Sequence, residues 1–150
     1  MTRPTPSPRR TSALLLAALA VLAQVVLGAL ALARADGVVQ LEPGGTSYHT
    51  EFADPAFLHL GWLVLPLIGV AAAHWWLGGL LALAGTVAVH AVVATEEIRR
   101  WQESGWASGL EILSYLVPVG MLVLGGVAWI VGLLAGRDRS GHRGSSVRPS

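Results

Sequence analysis

The sequence contains no cysteine, no asparagine and no lysine. The first absence excludes disulfides, thiolate metal sites and thiol redox chemistry. The other two leave arginine as the only permanent cation, which fits a GC-rich genome and says nothing about mechanism. Charge itself is scarce. Charged residues make up 13% of the 150 and hydrophobic residues 53%, too apolar a balance for a soluble domain of this length. The length allows one compact unit, and a net charge of +1 gives no reason to expect nucleic acid. There is no glycine loop for phosphates and no Ser/His/Asp set with interpretable spacing. No acid falls inside the apolar runs, which weighs against a small proton-coupled antiporter, since that chemistry needs a carboxylate within the membrane.

What is present is three long uncharged runs: Thr11 to Ala33, Pro55 to Thr95 and Ile112 to Gly136. A bilayer core takes about 20 apolar helical residues. The first and third runs suit one span each, and the second is long enough for a hairpin of two. These runs are continuous rather than alternating, which argues against a β-barrel. The reading is an all-α integral membrane four-helix bundle, with spans at about 12–33, 56–73, 77–95 and 110–135. Residues 1–11 and 137–150, rich in proline, serine, glycine and arginine, are expected to be disordered tails.

Arginine sets orientation, because acids contribute little to the rule. The N-terminal stretch holds Arg3, Arg9 and Arg10, and the tail holds Arg137, Arg139, Arg143 and Arg148. The two long loops have only Arg34, and Arg99 with Arg100. Both termini are therefore expected in the cytoplasm of a multi-pass cell-membrane protein. Trp75, Trp76 and Trp129 then mark the inner interface, and Trp62, Trp101 and Trp106 the outer one. A competing reading takes residues 1–35 as a signal peptide ending in "ARA", which would leave three spans. The apolar stretch is longer than the usual 7–15 residues of such a segment.

Small residues on helix three (Gly78, Ala82, Gly85, Thr86) and helix four (Gly120, Gly125, Gly126, Gly132) suit close packing. Pro66 and Pro118 should kink their helices. Gln24, the only amide within a span, should hydrogen-bond a neighbouring helix.

Two histidines lie within spans, where such side chains are costly unless they face the interior or find a partner. His59 lies about 7.5 Å past Asp54 and His90 about 9 Å before Glu96 at 1.5 Å per residue. A turn at "HWW" would bring both to one depth beneath the outer surface, with Tyr115 and Ser114 nearby. Three readings follow: a hydrogen-bonded cluster locking the helices, a haem held by both imidazoles, or a metal ion held by His59, His90 and Glu96. Tyr115 would stand behind the ligands. Bis-histidine haem ligation would need the helices to splay, since packed axes are 8–10 Å apart. His74 lies too far away, at the inner turn, and His142 is in the tail.

"QVVLGALAL" (Gln24 to Leu32), followed after a loop by "HLG" at His59, resembles a half-unit of the haem A synthase family. The resemblance implies a b-type haem with His59 as a ligand. It covers roughly 50 residues, and it departs from the family in length, in the absence of a histidine on helix four and in lacking loop cysteines.

Two functions follow from these readings. The first is a non-catalytic structural or accessory subunit that meets the bilayer and either other membrane subunits or itself. The second is a haem- or metal-binding redox protein using His59 and His90.

Overall fold

The computed structural model describes residues 7–34, 37–39, 48–50, 53, 55–103 and 110–141. Most of both tails and the loop 104–109 with Trp106 lie outside the described residues. Helix α1 runs Pro8–Arg34, α2 Pro55–Leu60, α3 Leu65–His74, α4 Trp76–Glu103 and α5 Leu116–Gly141. Short 3-10 stretches, Gly61–Val64 and Leu110–Tyr115, lead into α3 and α5. Strands β1 (Gly37–Val39) and β2 (Tyr48–Thr50) form an antiparallel ribbon after α1, with Val38 opposite His49.

Four segments are long and apolar enough to cross a membrane: Pro8–Arg34, Ala56–His74, Trp76–Glu103 and Ile112–Arg137. The protein is a four-helix membrane bundle. Its outward faces are apolar, with Leu15, Leu22, Val123 and Val131 all well exposed, as a lipid solvent requires.

Both in-span prolines leave a visible mark. Pro66 has no N–H to offer the carbonyl four residues back, that of Trp62. The Leu65 N–H takes that carbonyl instead, an i→i−3 bond that closes the 3-10 stretch between α2 and α3. Pro118 likewise follows a 3-10 stretch. The second span is therefore α-helix, 3-10 and α-helix in series.

The α3–α4 turn is a single extended residue, Trp75. Its N–H bonds the Ala71 carbonyl at 2.9 Å, and its own carbonyl accepts from Gly79 at 3.2 Å. A Cβ on Gly79 would stand 2.7 Å from the Ala72 Cα, so glycine is what lets the chain reverse so tightly.

Several helices exceed their sequence-based limits. Pro8 begins α1, where its fixed φ suits a first helical position, and Ser7 O accepts the N–H groups of Arg10 and Thr11. Residues 8–11 are thus helical rather than part of a disordered tail, as are 137–141. Helix α4 passes Thr95 by two turns. Ion pairs there, Glu96 to Arg99 at 2.6 Å, Glu96 to Arg100 at 3.0 Å and Arg99 to Glu103 at 2.5 Å, have the i,i+3 and i,i+4 spacing that supports a helix in water.

The interior is built mainly of small side chains. The buried face of α1 is Ala13, Ala17, Ala20, Gln24, Gly28 and Ala31. On α4 the stripe Gly79, Leu83, Thr86, His90, Val93 and Glu97 is buried, at alternating steps of four and three. Helix α1 packs along α4 and against α3, and α3, α4 and α5 all pack on one another. The first span is thereby a full member of the bundle.

The first turn of α1 and the Arg137 end of α5 lie at the α3–α4 turn. Arg10 stands 5.6 Å over the Trp75 ring, and Arg137 lines one cavity with Trp75 and Trp76. At the opposite end Arg100 donates to the Leu32 carbonyl at 3.3 Å, satisfying a helix C-terminal acceptor, while Arg34 lies over Phe57 at 5.7 Å.

Candidate functional site

Gln24, Gly61 and His90 meet in the interior. Gln24 Nε2 donates to the Gly61 carbonyl at 2.5 Å, a buried bond between the first and second spans. That carbonyl belongs to the first residue of the 3-10 turn before Pro66, a region where helical bonding is irregular and acceptors are freed for side chains. A Cβ on Gly61 would lie 2.9 Å from Gln24 Oε1 and 3.1 Å from His90 Nε2. The absence of a side chain at 61 is what admits both polar groups. Replacing Gln24 with leucine is expected to cost about 1 kcal/mol, in line with interhelical hydrogen bonds in membranes. Denaturation in mixed micelles measures that loss.

His90 is 4% exposed. Its Nε2 has no hydrogen-bond partner among the described residues. Beside it a cavity of about 10 Å³ is lined by Leu58, His90, Val93, Glu97, Ser114 and Val117, among others. That volume matches about one water. Glu97 is 6% exposed. Its Oε1 accepts the Ala53 N–H at 3.2 Å, and Ser114 hydrogen-bonds the same carboxyl. The site is thus a polar seam through α1, α2, α4 and the approach to α5, closed by apolar side chains.

The expected ligands do not gather there. Gly61, two residues beyond His59, is the residue that touches His90, and two helical residues turn about 200°. His59 accordingly lies exposed on the outer surface of α2. Glu96 sits one residue off the buried stripe, and its carboxylate is held by Arg99 and Arg100. Tyr115 is 39% exposed, and its hydroxyl shares a hydrogen bond with Thr95 at 3.0 Å. Among the described residues no three His, Cys, Asp or Glu side chains form a group that could hold a metal ion. The trio His59, His90 and Glu96 is therefore not such a group.

Glu97 is the residue left out of the expected ligand set, which took its neighbour Glu96 instead. It lies seven residues after His90, two turns along the same face, and that spacing was the available signal. It is the last buried residue of α4, two positions past the uncharged run that ends at Thr95. His74 is exposed at the turn, as its position implied. His142 lies outside the described residues.

The chain matches no family model, no curated protein and no solved structure.

Proposed function

We propose that the protein is a non-catalytic accessory subunit of the cell membrane, both ends in the cytoplasm, that assembles with another membrane protein or with its own copy. The position of His59 carries this reading. An imidazole exposed on the outside of a span, among Leu60 at 45% and Leu63 at 72% exposure, is costly in lipid unless something accepts or donates to it. A neighbouring helix supplies that partner. The dense interior supports the same reading, since Gly61 presses its backbone against His90 and the adjoining cavity admits no more than about one water.

A photo-crosslinking side chain placed at 59, in native membranes, is expected to give a discrete protein adduct. Leu30, at a comparable depth on α1 and 42% exposed, serves as the lipid-facing control and is expected to give lipid adducts alone. Lipid adducts alone at both positions would remove the reading.

The redox alternative draws on the orphaned His90 Nε2, an atom able to ligate iron or another metal, and on the resemblance to the haem A synthase half-unit. It requires a Soret band or stoichiometric metal in the purified protein, lost in His90→Ala. A colourless, metal-free preparation counts against it.

A further inference from the structure

The surface between α3 and α5 carries an apolar groove of about 440 Å³, lined among others by Pro66, Gly69, Val70, Val131, Gly132 and Ala135. Its floor is made by backbone. The Gly132 Cα side meets the Gly69 carbonyl, and a Cβ on Gly136 would stand 2.8 Å from the Ala73 carbonyl oxygen. At Ala73 the groove meets a second cavity of about 520 Å³, whose walls include His74, Trp75, Trp76, Trp129 and Arg137. Trp129 Nε1 donates to the Trp76 carbonyl at 3.0 Å, which fixes that indole as a wall. Arg10 stands over the Trp75 ring, 5.6 Å from its centre.

Going along α3 from Pro66 to His74, a distance of about 12 Å, the lining changes from purely apolar to aromatic and cationic. That is the profile of an amphiphile lying along the bilayer normal. We propose that these two cavities form one binding site for an anionic phospholipid, an acyl chain in the α3–α5 groove and the phosphate facing Arg137 and His74. Charge complementarity selects the occupant: basic pockets between spans favour anionic headgroups, and indoles sit at headgroup level. A free anion would leave the apolar groove unused, and a neutral lipid would draw no net attraction from the positive charge of Arg137.

The test compares lipid retained by the purified, delipidated protein, read by native mass spectrometry after exposure to vesicles of phosphatidylglycerol or phosphatidylcholine. The wild type is expected to keep one phosphatidylglycerol with at least about a tenfold preference. Arg10→Gln and Arg137→Gln should each reduce that preference about fivefold, the effect of one surface arginine. Ala135→Trp, which fills the groove from an exposed position, should reduce retention without touching a charge. Circular dichroism of each variant should match the wild type. Equal retention of the two lipids, or retention unchanged in all three variants, would overturn the proposal. Displacement by millimolar inorganic phosphate would also overturn it, because the site would then be one for a free anion.

Discussion

Gly132→Ala is expected to destabilise the bundle by about 3 kcal/mol, the upper part of the range for overpacking a close-packed interior. The reason is the identity of the neighbour. A methyl group on residue 132 would fall well inside contact distance of the Gly69 carbonyl oxygen. Backbone cannot swing aside as a side-chain end can, so relief requires α3 and α5 to part along their whole contact. Helix association in lipid has no hydrophobic force to restore what is lost and depends on close approach. Gly126→Ala is the matched control. The same methyl group there meets nothing within 4 Å, and a change of no more than about 0.5 kcal/mol is expected. Unfolding in mixed micelles compares the two directly. Equal changes at 132 and 126 would mean that the α3–α5 crossing does not govern these glycines.

Gly61→Ala comes next in size, at about 2 kcal/mol. Its methyl group would press on Gln24 Oε1 at 2.9 Å and on His90 Nε2 and Cε1 at 3.1 and 3.2 Å. These are side-chain atoms, which can give way, but Gln24 is held by its bond to the Gly61 carbonyl. Moving it forfeits that bond as well. The origin of the cost can be separated by a double variant. His90→Ala opens the space the methyl group needs, so Gly61→Ala with His90→Ala should recover roughly half of the loss, a coupling expected only of residues in contact. Strict additivity would place residues 61 and 90 apart.

Much of this architecture can be read from the residues. The charge-free runs give the spans, and the "HWW" turn needs a hairpin because 41 residues (Pro55 to Thr95) cannot be one span. Gln24 is legible because an amide in lipid must find a partner. The depth of the histidines is legible from rise per residue, and Gly61, two residues from His59, does meet His90.

Azimuth is where residue-by-residue depth falls short. Rise fixes level, but each residue also turns about 100°, so one position along the helix decides between the seam and the outer surface. Glu96 and Glu97 differ by that single step, and the seven-residue interval from His90 to Glu97 marks the inward one. On the second span the difficulty is greater. The 3-10 turn before Pro66 changes the helical phase at Gly61, and a uniform helix wheel cannot follow that change. The ends of α1, α4 and α5 extend beyond the apolar runs for a related reason. Ion pairs such as Glu96 with Arg99 carry a helix into water after hydropathy has stopped marking it.

Gly61, and not His59, is the face of the second span that meets His90. The sequence has no native thiol, so paired cysteines report without background. A short bifunctional thiol reagent is expected to join cysteines placed at 61 and 90 and to leave cysteines at 59 and 90 unjoined, in membranes and in micelles alike. Efficient joining of 59 to 90, with none between 61 and 90, would contradict the account.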